Sequence, residues 1–171
     1  MASRAHARRA RLATFGLGLV VTGVDQAIKL MVDAVLPPGG ATIGPVFTLR
    51  RVNNPGVNFG LFSDHPAPIL IITVAIGVGF AAYVAARPPR RWWQIAAFAL
   101  LIGGAFGNVI DRLRIGAVFD YLNIAPFVGF LNFADLAIGA GLIVLVADSL
   151  RERRPAANPP AGANGGPAPP G

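Results

Sequence analysis

The chain has 171 residues, of which 54% are hydrophobic and only 13% are charged, about half the charged fraction of an average soluble domain. Because it contains no cysteine, disulfides, thiol catalysis and cysteine-based metal sites are excluded, and two histidines are too few for a histidine-rich metal site. The net charge of +7 does not indicate nucleic acid, since the cations lie between long apolar runs, a pattern typical of an integral membrane protein.

Four apolar runs are long enough to cross a bilayer, because a spanning helix needs about 20 mostly apolar residues. We predict spans over residues 12–35, 68–86, 92–110 and 131–149. The first run resembles a signal peptide, but "DQAIKLMVD" follows it instead of a cleavage site with small residues, which favours a retained helix. The predicted fold class is an all-α membrane protein with four transmembrane helices and a small β-rich extracytoplasmic loop subdomain.

Arginine clusters mark the predicted cytoplasmic side of the membrane. They lie before the first span, between the second and third, and after the last: Arg4, Arg8, Arg9, Arg11, Arg87, Arg90, Arg91, Arg151, Arg153 and Arg154. Because Lys and Arg gather on the cytoplasmic side, both termini are predicted to be cytoplasmic, and residues 36–67 and 111–130 to face outward. In the first of these outer segments, the β-forming residues at 46–52 indicate a short strand or hairpin.

The same features predict three parts of the chain. They are a basic cytoplasmic N-terminal tail at 1–11, a four-helix transmembrane domain at 12–150 and a cytoplasmic C-terminal tail at 151–171. Residues 155–171 are rich in Pro, Gly and Ala and contain no large apolar side chain. This segment cannot bury a core and is therefore predicted to be disordered.

Charged residues interrupt the first span. An ionisable side chain inside a membrane is costly, so each one is a candidate functional residue. Asp25, Lys29 and Asp33 follow i, i+4, i+8 spacing on one helix face, where they can pair with one another. They form either a self-neutralising stripe or part of a site, and the deeper position of Asp25 favours a functional role for that residue.

The third span ends in glycines followed by polar residues. Gly103 and Gly107 form a small-xxx-small pair, which allows a neighbouring helix to approach closely. Asn108 and Arg112 lie one turn apart near the outer boundary. They indicate either a packing groove with a snorkelling arginine or a polar site, and the pairing of an amide with a guanidinium favours the second. The segment "NNPGVNF" at 53–59 is typical of an ordinary turn.

Asp120 and Asp135 are the strongest candidates for chemistry. Asp120 lies in the apolar stretch "AVFDYL", and Asp135 lies in the first outer turn of the fourth span, one turn after Asn132. Stabilisation of the helix N-terminus explains Asp135 but not Asp120. Two close aspartates share one proton, so one can take a proton from water while the other donates to a substrate carbonyl oxygen. This is the chemistry of an aspartic peptidase, and it requires no metal or cofactor.

Five sequence blocks, in this order, resemble the lipoprotein signal peptidase (signal peptidase II) family. They are "VDQAIKLMV" at 24–32, "NPGVNFG" at 54–60, "GGAFGNVIDR" at 103–112, "VFDYL" at 118–122 and "FLNFAD" at 130–135. The resemblance implies a bacterial cell-membrane aspartic endopeptidase that removes the signal peptide of prolipoproteins, cutting before a cysteine that carries diacylglycerol. It implies Asp120 and Asp135 as the catalytic residues, and it implies supporting roles for a further set: Asp25, Asn54, Asn108, Arg112 and Asn132.

The supporting residues have several candidate roles. Asn108 and Asn132 either bind the substrate backbone or hold the geometry of the aspartate pair. Arg112 either steadies the outer loop or approaches lipid carbonyls. Asp25 is expected to brace the first helix, and Asn54 to order a turn of the β-rich cradle that the resemblance implies. The resemblance also implies diacylglyceryl prolipoproteins as partners and sensitivity to the cyclic peptide globomycin. We further predict a monomer that contacts membrane lipids and binds no nucleic acid.

One departure from the family and two alternative functions stay open. The family usually has two small residues where this chain has Val57 and Asn58, which leaves substrate preference open but does not touch the aspartates. A small four-span proton-coupled transporter is the first alternative, although its key carboxylate is expected near the bilayer midplane, often in a repeat. A scaffold without activity is the second, and it predicts that both aspartates tolerate substitution by asparagine. A serine triad in "SDH" at 63–65 is disfavoured, since consecutive residues cannot easily adopt triad geometry.

Overall fold

The computed structural model describes residues 2–56, 66–126 and 129–152. These residues form four long helices: α1 at Ala2–Val35, α2 at Pro66–Ala86, α3 at Trp92–Ile115 and α4 at Phe133–Glu152. Each of the four is long and apolar enough to cross a membrane. The prediction of a four-helix membrane protein is therefore confirmed.

The basic N-terminal segment is helical. α1 begins at Ala2, so residues 2–11 continue the first span as a helix rich in Ala and Arg, which are strong helix formers. At about 1.5 Å per residue, α1 is roughly 50 Å long, which exceeds the ~30 Å hydrocarbon core and leaves turns projecting beyond the bilayer. The segment predicted to be disordered, 155–171, lies outside the described residues, and the division into tails and a transmembrane domain stays a prediction.

α3 is also longer than its predicted span. It continues past residue 110 to Ile115, and it ends where Gly116 adopts the left-handed conformation with φ of 71° and donates its N–H to the Arg112 carbonyl oxygen. The helix thus extends about five residues beyond the predicted end of the third span, and the outward position of residues 111–130 stays a prediction. Asp111 and Arg112 lie on the last turns of a packed helix, because no residue before Gly116 breaks the helix.

A three-stranded antiparallel sheet completes the fold. Its strands are β1 at Ala41–Ile43, β2 at Phe47–Asn54 and β3 at Val118–Ile124, in the order β1-β2-β3. The strand predicted at 46–52 corresponds to β2, which confirms a small β-rich subdomain, whereas β3 was not predicted. Between the pairs Leu49–Leu122 and Val52–Asp120, two residues of β2 oppose one residue of β3, so the ladder contains a bulge.

α3 is the central helix of the bundle. It packs against α1, α2 and α4, and it is far more buried than the other three. Glycines permit these contacts: a Cβ atom on Gly103 would lie 2.5 Å from the carbonyl oxygen of Gly18 on α1. A Cβ atom on Gly104 would lie 2.6 Å from the carbonyl oxygen of Ala134 on α4. The close helix approach predicted from the glycine spacing is therefore present, and it brings the polar end of α3 against both neighbours.

Candidate active site

Asp120 lies on β3 and is only 2% exposed. Its Oδ2 accepts a hydrogen bond of 2.9 Å from the Nδ2 of Asn54. The two residues are diagonal neighbours on one face of the sheet, since Val52 pairs with Asp120 and Asn54 pairs with Val118. Its Oδ1 accepts a second hydrogen bond of 2.7 Å from the Nδ2 of Asn132. Two neutral amides therefore satisfy one oxygen each of this buried carboxylate.

Asp135 lies in the first turn of α4 and is half-buried. Its Oδ1 accepts a hydrogen bond of 2.9 Å from the Nδ2 of Asn108 on α3. Its Oδ2 accepts from the backbone N–H of Asn132 at 3.1 Å, and the Oδ1 of Asn132 accepts from the backbone N–H of Asp135 at 3.0 Å. This reciprocal arrangement is a capping box, so Asp135 stabilises the helix N-terminus and still presents a carboxylate next to Asp120.

Asn132 joins the two aspartates. Its side chain donates to Asp120 and its backbone donates to Asp135, and the residue is completely buried. Backbone pairing holds it there: Leu131 donates to the Leu122 carbonyl oxygen at 2.7 Å, and the N–H of Leu122 donates back at 2.9 Å. The segment before α4 thus runs against β3, and this pairing brings both carboxylates to one place.

The environment of Asp120 favours its protonated form. Burial raises the pKa of Asp120 from its ordinary value of 3.8 to about 6. The hydrogen bonds from Asn54 and Asn132 oppose this shift, while the nearby carboxylate of Asp135 adds to it. Two carboxyl groups in such a position can hold one proton between them near neutral pH.

The remaining supporting residues lie around this pair. Arg112 on α3 donates from its Nη2 to the Gly56 carbonyl oxygen at 3.1 Å, and the Oδ1 of Asn54 accepts from the Gly56 N–H at 3.0 Å. Both residues therefore hold the turn after β2, and Asn54 additionally binds Asp120. Asp25 lies behind the pair, where its Oδ1 accepts from the backbone N–H of Ala134 at 2.9 Å and so joins α1 to the start of α4.

Both carboxylates border a cavity of about 200 Å³ between the sheet and helices α2, α3 and α4. The cavity has a polar and an apolar lining. The polar side chains are Asn54, Thr73, Asn108, Arg112, Asp120 and Asp135, and the apolar ones include Ile76, Ala105, Val118, Phe130 and Ile138. A separate apolar cavity of about 470 Å³ lies between α2, α3 and α4, and Ile76 lines both cavities. The positions of Val57 and Asn58, the departure noted in the sequence, lie outside the described residues.

Charged residues of α1 have different partners from those predicted. Lys29 pairs with Asp25 at 2.8 Å, as the spacing indicates, but it also pairs with Asp111 on α3 at 2.7 Å. Asp33 does not join this stripe and instead pairs with Arg51 on β2 at 3.1 Å near the surface. Asp111 was not identified as a site residue, although its position beside Asn108 and Arg112 was a usable signal.

Comparisons with known proteins identify the family of this chain. A family model described as Signal peptidase (SPase) II matches residues 17–151. The chain belongs to the signal peptidase II family. The lipoprotein signal peptidase of Moorella thermoacetica is 38% identical over 131 residues, which are 75% of this chain and 87% of that relative. The lipoprotein signal peptidase of Gloeobacter violaceus is 36% identical over 149 residues, which are 84% of this chain and 86% of that relative. This signal peptidase II family member is therefore a multi-pass membrane peptidase.

Two solved structures of bacterial membrane enzymes share the fold. The first has a TM-score of 0.73 at 22% identity and covers 84% of this chain and 93% of its own. The second has a TM-score of 0.71 at 24% identity and covers 81% of this chain and 93% of its own. At this level of identity the likeness concerns the fold alone, and it agrees with the arrangement of four helices and a small sheet.

Proposed function

We propose that this peptidase is an aspartic endopeptidase that removes the signal peptide from bacterial prolipoproteins, cutting before the diacylglyceryl-modified cysteine. The observation that carries the proposal is that Asp120 and Asp135 both bind Asn132 and border one cavity. The names of the relatives, lipoprotein signal peptidases, support the substrate class. The raised pKa of Asp120 supports the aspartic mechanism, because this carboxyl group keeps its proton to higher pH than an ordinary aspartate does.

The proposed reaction uses the two carboxyl groups in turn. Asp135 takes a proton from a water molecule as the water oxygen bonds to the scissile carbonyl carbon, and Asp120 gives its proton to the carbonyl oxygen. In the resulting diol, one hydroxyl proton returns to Asp120 as the C–N bond breaks. The leaving nitrogen takes the proton from Asp135, so both residues regain their starting states. No metal takes part in these steps, and we expect a chelator to leave activity unchanged.

The shape of the cavity supports a substrate that arrives within the bilayer. Its carboxylate end is polar, while Ile76 and Ile138 line an apolar side, and Ile76 also borders the larger apolar cavity between α2 and α4. Acyl chains that are already in the bilayer can enter such a space without leaving an apolar environment, because apolar side chains and lipid tails are similarly apolar. We therefore propose that the diacylglyceryl group and the apolar part of the signal peptide enter sideways between these helices.

The distribution of arginines supports an orientation in the membrane. The basic start of α1 and the loop between α2 and α3 lie at one end of the bundle, near the end of α4, since Arg91 contacts Asp148 and Glu152. The sheet and the aspartate pair lie at the opposite end. We propose that both termini are cytoplasmic, that the site lies near the outer face of the bacterial cell membrane, and that the monomer acts in contact with lipids.

The decisive experiment replaces each aspartate with asparagine. Purified full-length Asp120→Asn and Asp135→Asn variants are incubated in micelles with a diacylglyceryl prolipoprotein, and cleavage is followed by gel shift. We expect each variant to lose roughly 10²- to 10⁴-fold in rate, the usual contribution of general acid–base catalysis, while its thermal unfolding stays cooperative. Full activity in either variant would refute the dyad. Inhibition of the wild-type protein by globomycin is a further expected result.

The two alternatives make different predictions for the same variants. Membership of the signal peptidase II family favours a peptidase and gives no support to a proton-coupled transporter. A scaffold would tolerate asparagine at both positions. We also expect kcat/KM to show an inflection near pH 6, with activity falling on the alkaline side as the shared proton is lost, and neither alternative predicts this inflection.

A further inference from the structure

Lys29 is a cation buried inside the helix bundle. Its side chain is 4% exposed, although a lysine in a membrane helix usually extends towards the surface. Its Nζ pairs with Asp25 at 2.8 Å and with Asp111 at 2.7 Å, so one positive charge lies between two carboxylates. These ion pairs join α1 to α3. They would be sufficient if the role of Lys29 were only structural.

The third contact of Lys29 points to the aspartate pair. Its Nζ donates to the Oδ1 of Asn108 at 3.2 Å, and the Nδ2 of the same side chain donates to Asp135 at 2.9 Å. An ammonium group has donors only, so the oxygen of the Asn108 amide must face Lys29. With the oxygen held on that side, the NH₂ group faces Asp135. If the amide rotated by half a turn, its NH₂ group would face the ammonium donors of Lys29 and its oxygen would face the carboxylate of Asp135, so both hydrogen bonds would be lost.

Asn132 assists but cannot replace this constraint. Its Nδ2 also donates to the Oδ1 of Asn108 at 3.1 Å, and it is shared with Asp120. An asparagine amide can itself rotate, because it carries a donor and an acceptor of similar size. Lys29 therefore fixes the oxygen side of the Asn108 amide, just as the acceptor-only Asp135 carboxylate fixes its NH₂ side.

We propose that Lys29 is a positioning residue for the peptidase reaction. Its ammonium group fixes the orientation of the Asn108 amide, and through this amide it holds the Asp135 carboxylate in place for proton transfer. This inference rests on the proposed function of the aspartate pair. Lys29 does not touch the reacting atoms, so its effect is on the rate of the chemical step rather than on substrate binding.

The charge of Lys29 has a second consequence, at Asp120. The charged groups around Asp120 are Lys29 on α1, Arg112 on α3 and Asp135 on α4. Lys29 lowers the pKa of Asp120, while burial and Asp135 raise it. Removing the charge of Lys29 is therefore expected to raise the pKa of Asp120 further and to move the inflection of the pH profile to higher pH.

The test compares two substitutions of Lys29 with a matched control. Lys29→Met keeps much of the side-chain length but removes the charge and the donor, whereas Lys29→Gln retains a donor for the Oδ1 of Asn108. The control, Arg114→Met, removes one positive charge from the same region. Arg114 is exposed, and among the described residues its hydrogen-bond partner is the Oε1 of Gln26, at 3.1 Å, and not Asn108. Each protein is assayed for kcat, KM and thermal unfolding over a range of pH with a diacylglyceryl prolipoprotein in micelles.

We expect Lys29→Met to lower kcat roughly 10- to 100-fold per folded molecule, the usual effect of losing a hydrogen bond to a charged group, with KM changed less than about twofold. Its pH inflection should move to higher pH. Lys29→Gln should recover part of kcat but keep the shifted inflection. Arg114→Met should retain the wild-type kcat and inflection.

Several results would overturn the inference. A folded Lys29→Met protein with wild-type kcat and an unmoved inflection would leave Lys29 as a structural brace only, and so would an equal loss in Arg114→Met. If Lys29→Met does not fold, the same readouts on Lys29→Gln decide the question. Failure of the proposed function would give a different result from failure of this inference. Asp120→Asn would then remain active, and the Lys29 variants would change stability but not kcat per folded molecule.

Discussion

Carboxylates are buried at both ends of the helix bundle, but they have different partners. At one end Asp148 on α4 accepts hydrogen bonds from Arg91 at 3.0 Å, from the indole of Trp93 at 2.9 Å and from Gln94 at 2.7 Å. At the other end Asp120 accepts hydrogen bonds from two asparagine amides and lies beside a second carboxylate. Both side chains are under 10% exposed, at 8% for Asp148 and 2% for Asp120.

The comparison shows that burial and hydrogen bonding alone do not indicate a reactive group. Asp148 has a cation within ion-pair distance, so its charge is balanced and its contacts close the gap between α3 and α4. Among the described residues, Asp120 accepts hydrogen bonds from neutral side chains only, and it shares its cavity with the carboxylate of Asp135. A cation in direct contact therefore separates the structural carboxylate from the one that can exchange a proton.

The largest expected effect comes from making the same substitution at both ends. Asp120→Asn should lower the rate of cleavage roughly 10²- to 10⁴-fold. Asp148→Asn should keep activity within a fewfold of wild type but lower the temperature of thermal unfolding, because Arg91 then keeps only Glu152 as an anionic partner among the described residues. Gel-shift assays and thermal unfolding of both variants measure the two effects. Loss of activity in a stable Asp148→Asn protein would break the distinction between the two ends.

The second prediction concerns stability as a function of pH. The pKa of Asp120 is raised from 3.8 to about 6, so the folded state binds this proton more tightly than the unfolded chain does. The resulting stabilisation is present below about pH 4 and is lost as the pH rises through about 6. Asparagine does not titrate. Between these limits the wild-type protein should therefore lose up to about 3 kcal/mol relative to Asp120→Asn. Unfolding of both proteins in micelles at several pH values measures this difference, and a difference independent of pH would contradict it.

The third prediction tests the close packing at the end of the bundle that carries the aspartate pair. A Cβ atom on Gly107 would lie 2.5 Å from the Oδ2 of Asp25, so Gly107→Ala should displace Asp25 from Lys29 and from the start of α4. We expect a loss of about 1–3 kcal/mol in the free energy of unfolding and a lower kcat. Gly139→Ala on α4 is the matched control, because a Cβ atom there would have no neighbour within 4 Å. Equal stability of the two variants would show that the contact between Gly107 and Asp25 is not tight.

The smallest effect is expected for the ion pair at the surface. Asp33 and Arg51 have side chains that are 63% and 35% exposed, so solvent screens their attraction. Arg51→Ala should change the free energy of unfolding by less than about 1 kcal/mol and should not change kcat. Unfolding assays at low and high salt measure the change in stability, and cleavage assays under the same conditions measure kcat. A large loss of stability or of kcat would contradict this prediction. It would mean that the ion pair, although exposed, holds β2 in position next to the site.

Much of the fold was predictable because it depends on local properties. The four spans follow from the length of the apolar runs, and β2 follows from a cluster of β-forming residues bounded by Gly and Pro. The boundaries of α1 and α3 were not predictable from hydropathy. Both helices continue into polar segments, residues 2–11 and 111–115, which are good helix formers but poor membrane residues.

The candidate site was predictable in its members but not in its connections. Asp120 and Asp135 attracted attention because a carboxylate in an apolar segment is costly. The bond between Asn54 and Asp120 joins residues 66 apart in the chain and depends on the bulged pairing of β2 with β3. The contact between Lys29 and Asn108 joins residues 79 apart and depends on the close packing of α1 against α3.

The sequence by itself determined that this protein crosses the membrane with four helices and carries two aspartates where few charges are tolerated. The length of an apolar run and the free-energy cost of a charge within it are properties of one segment of the chain. They do not depend on how that segment packs against the others. Only the tertiary structure decided that one asparagine, Asn132, binds both aspartates and that Lys29 faces inward while Asp33 faces out. These choices depend on strand register and on how closely glycines let helices approach, which are relations between distant segments.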